Sequence, residues 1–161
     1  MGDPGIGALG SVVRLNTRLF RACLDGISAD EAGRGFGEGG NGVGFIALHV
    51  VDARFYLARA LGGDVGNPFA EYEEARSAAD VQRLPALSSL LEEWDRVSPE
   101  LVAALDGLSA ERAAGPAPTP FPIDDPSLLG MAAFLIQHES YHIGQLALLR
   151  RQLGHPPIAW D

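Results

Sequence analysis

The sequence predicts an all-α protein, a four-helix bundle with long crossover connections. Three observations carry that prediction. Four long segments place apolar residues at the three- and four-residue spacings of a helix stripe, and no segment shows the sustained alternation of a strand. Two connections, around residues 63–83 and 109–125, are longer than plain up-and-down turns require. The chain has 161 residues, which suits a single domain over 1–161 with one sizeable core.

The first segment runs from about residue 6 to 25, with Leu9, Val12, Val13, Leu19, Phe20 and Cys23 forming the stripe before Gly26. The second runs from about 42 to 61, with Asn41 as the expected N-cap and Gly62 as the residue that ends it. The third carries Leu87, Leu91, Trp94, Ser98, Leu101, Leu105 and Leu108 at alternating spacings. That phase survives Pro99, so one kinked helix is expected rather than two. The fourth begins with Asp125 as cap and Pro126 at the first helical position, and Gly154, Pro156 and Pro157 stop it. A Gly-rich loop at 33–44, an acidic stretch at 69–80 and a Pro-rich linker at 115–126 join these helices.

Composition excludes several functions. Twelve basic residues against 21 acidic ones give a formal charge of −9, a field that repels phosphate backbones, so no nucleic-acid partner is expected. All twelve bases are Arg, which rules out a Lys-dependent site such as a Schiff base or a P-loop. The single Cys23 excludes an internal disulfide and a four-Cys zinc site, and on an apolar stripe it reads as a packed thiol rather than a nucleophile. The clean apolar run from Leu128 to Ile136 is far too short to span a bilayer, and the first ten residues lack a signal-peptide pattern. The expectation is a soluble cytoplasmic protein without a membrane partner.

The chemistry concentrates in histidines. His138 and His142 stand four residues apart in the fourth segment, about 40° apart around a helix, on the same line as Met131, Phe134, Leu135, Gln145 and Leu149. His49 shares its face with Phe45, Ala53 and Tyr56. Three of the four histidines are thus expected to point inward, with His155 left to solvent. Buried imidazoles need partners. A divalent metal shared by an i,i+4 pair and one His from a neighbouring helix would satisfy all three and keep a coordination position for substrate. Alternatively, each imidazole hydrogen-bonds separately within the core. Asp52, one turn beyond His49, is either an acceptor that orients a ligand imidazole or a surface acid near Arg59. Tyr141 and Gln145 are candidate substrate contacts. Glu139 with His142 forms a single E-x-x-H pair, but a di-iron site needs a second such pair, and Ile46 occupies the matching position before His49. Gly37 to Gly42 matches G-x-G-x-x-G without the strand a dinucleotide fold requires, and it reads as a flexible entry to the second helix.

The second-helix segment Leu48-His49-Val50-Val51-Asp52-Ala53-Arg54, ending at Gly62, the segment from His138 through His142 to Gln145, and the spacing between them resemble the DinB-like superfamily. These are four-helix-bundle metalloproteins, also described as YfiT-like or damage-inducible. The resemblance spans nearly the whole chain and implies a divalent ion, zinc or nickel, held by His49, His138 and His142. It further implies a metal-dependent enzyme using a low-molecular-weight thiol, because members include a mycothiol-dependent maleylpyruvate isomerase and bacillithiol S-transferases. The metal-binding domain of enzymes that make thiol-histidine betaines belongs there too. Isomerase-type members carry Glu where this chain has His138, which shifts the expectation toward the three-histidine members. Many relatives have Arg where this chain has Ile143.

The resulting expectation is thiol S-transfer of the mycothiol or bacillithiol type to a small-molecule electrophile, with a homodimer as the assembly. A thiol taken up beside the ion would give up its proton and attack; a water there would instead make the protein a metal-dependent hydrolase. A non-enzymatic metal-binding stress-response protein is the contrasting reading.

Overall fold

The structure, a computed structural model, describes residues 4–37 and 39–160. It contains α1 (Pro4–Leu24), α2 (Ala29–Gly33), α3 (Val43–Ala60), α4 (Leu87–Asp106), α5 (Ala110–Ala114) and α6 (Leu128–Gln152), with 3-10 turns at Ala70–Tyr72 and Ala78–Asp80. No strand occurs among the described residues, and no described helix is long and apolar enough to cross a membrane. The four long helices are those expected, and α4 runs unbroken through Pro99. The short α2 and α5 are additions, each a single capped turn opened by a serine, Ser28 and Ser109 respectively.

Each long helix packs on two others: α1 and α3 each contact both α4 and α6. Residue pairings give the directions. Asn16 meets Ser140, and the Cys23 carbonyl meets Arg150, so α1 and α6 run parallel. Gly44 lies against Leu84 and Arg54 against Ser98, so α3 and α4 also run parallel. Phe45 shares a cavity wall with Leu149 at one end, while His49 meets His138 further along, so these two pairs oppose each other. The order is up-down-down-up. The connection from Leu61 to Ala86 therefore has to return along a helix of about 27 Å, and it is a true crossover. The connection around 109–125 instead joins diagonal neighbours of opposite direction, as does the Gly-rich loop.

The core is continuous across all four helices. Phe20 and Trp94 pack at 4.1 Å between ring centroids, with Val13, Leu48, Phe55, Leu101 and Leu146 fully enclosed around them. Helix α3 is apolar on nearly every side because α2, α4 and α6 pack against it. It ends as the sequence suggests: Gly62, at φ +98°, donates to Arg59 O, and Gly63 donates to Ala58 O, the paired bonds of a glycine-terminated helix. Gly154, at φ +91°, closes α6 in the same way.

Three local expectations are corrected. Asn41 does not cap α3; Gly42 takes that position and the Asn41 carboxamide accepts from Ala78 N at 2.9 Å, tying the crossover to the helix entry. Asp125 does not cap α6 either. Ser127 accepts from Gly130 N, and Asp125 accepts from Ser127 N, so the start moves beyond Pro126. Val12, assigned to the first apolar stripe, is exposed.

Candidate metal centre

The fully buried line of α6 runs through Leu128, Ala132, Leu135, Glu139, Ile143, Leu146 and Arg150, not through the histidines. His138 and His142 occupy the flank of that stripe on the side facing α3, half-buried, and His49 meets them from α3. This corrects the expectation that both imidazoles of α6 lie on the core-facing stripe itself.

The three rings converge through their Nε2 atoms. His138 Nε2 lies 3.2 Å from His49 Nε2 and 3.0 Å from His142 Nε2, and one donor atom from each residue lies within 4.8 Å of the others. The ring planes cross at 75–83°, so each imidazole presents an edge to the same point. Three nitrogens each about 2.1 Å from a common ion stand about 3.0 Å apart at right angles and about 3.4 Å apart at the tetrahedral angle. The two measured edges fall within that range. The group therefore fits a divalent ion, and zinc and nickel both accept imidazole ligands.

Protonation favours the same role. Burial pushes the pKa of all three histidines down, and for His49 the nearby His142, His138 and Arg76 add to the effect, taking it to about 4. Neutral imidazoles at physiological pH are what a metal requires. The tautomer of His142 is set by Gln145, whose Oε1 lies 2.6 Å from His142 Nδ1; accepting there leaves the Nε2 lone pair directed at the cluster. Gln145 Nε2 in turn donates to Tyr141 Oη at 3.2 Å. His138 Nδ1 is buried with no hydrogen-bond partner among the described residues. Asp52 is engaged elsewhere: its carboxylate accepts from Asn67 at 2.6 Å, at the start of the crossover.

A cavity of about 520 Å³ opens beside His49 and His142. Phe45, Ile46 and Leu149 form its apolar floor, Leu148 and Tyr141 stand exposed at its rim, and Asn41, Ala75 and Arg76 close it from the loop side. Sequence reasoning missed Arg76, because nothing in an acidic, aperiodic stretch reveals that the crossover returns across this opening.

Just behind the histidines lies a second polar group, also unforeseen. Arg54 is fully buried and forks onto Glu139, with Nε at 2.8 Å and Nη2 at 2.6 Å from the two carboxylate oxygens. Its Nη1 donates to Thr17 and Ser98, both at 2.7 Å, and its guanidinium stacks 3.4 Å over Trp94. Asn16 donates to the same carboxylate at 3.0 Å. Glu139 therefore faces the core and does not join the histidines. Cys23 is buried, and its thiol is pushed up to about 11 by burial, as a packed core thiol should be. His155 is not left to solvent; its Nε2 lies 3.0 Å from Glu31, tying the C-terminal segment to α2.

Comparison with known proteins agrees with this architecture. A crystal structure of a DinB-like protein from Bacillus subtilis superposes with a TM-score of 0.64 at 15% identity, covering 98% of this chain and 96% of that one. That likeness concerns the fold. No curated protein matches the sequence. The family model of the DinB superfamily matches residues 13–146, a span that contains α3, α4 and all three converging histidines. The chain belongs to the DinB superfamily.

Proposed function

We propose that this protein is a metal-dependent enzyme that holds one divalent ion, zinc or nickel, through His49, His138 and His142. The proposed reaction is transfer of a low-molecular-weight thiol, of the mycothiol or bacillithiol kind, to a small electrophile. The observation that carries this reading is the convergence of three Nε2 atoms beside an open cavity that His49 and His142 line. A structural site would close its coordination with a fourth protein ligand, whereas the cluster among the described residues contains three. An ion held there lowers the pKa of a thiol arriving from the cavity.

The chain's own residues do the rest. Gln145 keeps the His142 Nε2 lone pair aimed at the cluster, and the T-shaped packing of the three rings restrains their rotation. Phe45, Ile46 and Leu149 exclude water from one side and offer an apolar bed for the substrate body. Tyr141 Oη, oriented by Gln145, stands at the rim as a hydroxyl that can hydrogen-bond the incoming molecule.

Elemental analysis of untagged protein tests the first half. About one zinc or nickel per chain is expected, lost in both His49→Ala and His142→Ala; no metal after reconstitution, with both variants folded, overturns it. Assay of the loaded protein with mycothiol or bacillithiol and a chromogenic electrophile tests the second half. Ion binding without thiol consumption, but with ester or amide cleavage, would replace transferase by hydrolase.

A further inference from the structure

The cavity beside the histidines has an uneven charge. The chain carries a formal charge of −9, yet among the described residues no Asp or Glu lines this cavity and the one permanently charged wall residue is Arg76. Arg76 belongs to the crossover between the two 3-10 turns, and its backbone is fixed from both sides. Its N–H donates to Asp80 at 2.9 Å, and two residues on Ala78 N donates to Asn41. The guanidinium is less committed. It donates to the Glu73 carbonyl at 3.1 Å and approaches Glu74 at 3.5 Å, a pairing between side chains 73% and 96% exposed. Such a pair contributes little and exchanges readily for a better-placed anion. Arg offers five N–H donors in a planar fork that matches a carboxylate, so most of its capacity is unspent.

The other walls sort the remainder of a ligand. Phe45, Ile46 and Leu149 suit an apolar chain, while His49 and His142 line the same cavity as Arg76. An anion is repelled over most of this acidic surface, and at this opening Arg76 offers it a cationic partner. We propose that the molecule that enters this cavity carries a carboxylate, which pairs with Arg76 while its apolar body lies on Phe45, Ile46 and Leu149 and its reactive end reaches the histidines. The inference rests on the metal-site reading for its reactive end, though not for the anion contact itself. It narrows the thiols of that reading to acidic ones: of the two kinds named, bacillithiol carries carboxylates and mycothiol carries none.

The test uses the full-length protein loaded with cobalt(II), titrated with ω-mercaptocarboxylates and the ω-mercaptoalcohols of equal chain length, from two to six carbons. Thiolate-to-cobalt absorption reports occupancy without any activity assay. At low salt the acid is expected to bind about fivefold tighter than the alcohol at the best-fitting length. That preference should vanish in Arg76→Gln through loss of acid affinity, and Arg76→Lys should retain part of it. Arg76 is 73% exposed on its side chain, so the variants should fold. Equal binding of acid and alcohol at every length, or a preference that survives in Arg76→Gln, overturns the inference. Absence of the thiolate band with either ligand counts against the metal-thiol reading instead. The anion contact is then decided by calorimetry of hexanoate against hexanol on metal-free protein. A hexanoate preference that Arg76→Gln abolishes supports it, and no preference overturns it.

Discussion

Two polar groups sit one residue apart on α6 and draw on the same partner helix, yet they are opposites. Glu139 meets Arg54 in a closed network in which four of the five guanidinium donors are used and both carboxylate oxygens accept. His138, next in sequence, meets two other imidazoles, has an orphaned Nδ1, and lies beside the cavity that His49 and His142 line. Both groups cost desolvation. The first recovers it inside the protein, whereas the second brings together three imidazole nitrogens that could hold a cation. A polar cluster that satisfies itself is architecture; a cluster that converges without satisfying itself is a candidate binding site.

Breaking the closed network should have the largest effect on stability. Glu139→Ala leaves the Arg54 charge buried without its counterion, and a loss of about 3–5 kcal/mol is expected by urea denaturation. Arg54→Met with Glu139→Leu removes both charges and should lose much less than either single change. If the double variant is as unstable as the singles, the pair is not a compensated unit and the contrast with the histidines fails.

The histidines should behave in the reverse sense. In metal-free protein His142→Ala is expected to change stability by less than about 1 kcal/mol, since the ring is half-buried and its two bonds go to side chains, Gln145 and His138, that are themselves only half-buried. Metal should then divide the two proteins. With free zinc at 100 times its dissociation constant, the wild type gains about 2.7 kcal/mol and the variant gains none. Thermal melts with and without chelator read this directly. A wild type indifferent to metal would erase the distinction drawn here.

How far this was legible in the sequence follows from the same contrast. Periodicity reveals which residues share a helix face, so the four long helices, the uninterrupted α4 and the grouping of His49, His138 and His142 were all visible. Periodicity also assumes that charged residues face outward. That assumption placed the histidines on the buried stripe and turned Glu139 away, because the Arg54 that makes its burial tolerable lies 85 residues distant. Cap positions failed for a related reason. Asn41, Asp125 and Ser127 are all competent caps, and what Asn41 bonds to instead, the Ala78 amide, arrives only with the crossover. Arg76 was hidden by the same return path.

A smaller effect is expected one step out from the ligands. Gln145→Ala removes the acceptor that holds the His142 tautomer and should weaken metal binding about 10- to 100-fold while leaving the fold intact. Competition against a chromogenic chelator measures it. Unchanged affinity would mean that the helix alone orients His142.

Asp52 supplies the counterpart and the smallest effect. By sequence it has as good a claim as Gln145 to orient a ligand, since it lies one turn from His49 as Gln145 lies one turn from His142. The structure separates them by what their oxygens touch: Gln145 accepts at an imidazole, Asp52 accepts from Asn67. Burial raises the Asp52 pKa, so its charge is not favoured where it sits, and a neutral carboxamide retains the shape and one acceptor. Asp52→Asn is therefore expected to leave chelator competition unchanged and to alter stability by about 1 kcal/mol at most, a single hydrogen bond's worth. A tenfold loss of metal affinity in Asp52→Asn would show that the carboxylate acts on His49 through the protein field without touching it. The boundary between the satisfied interior and the binding site would then lie a full turn further along α3.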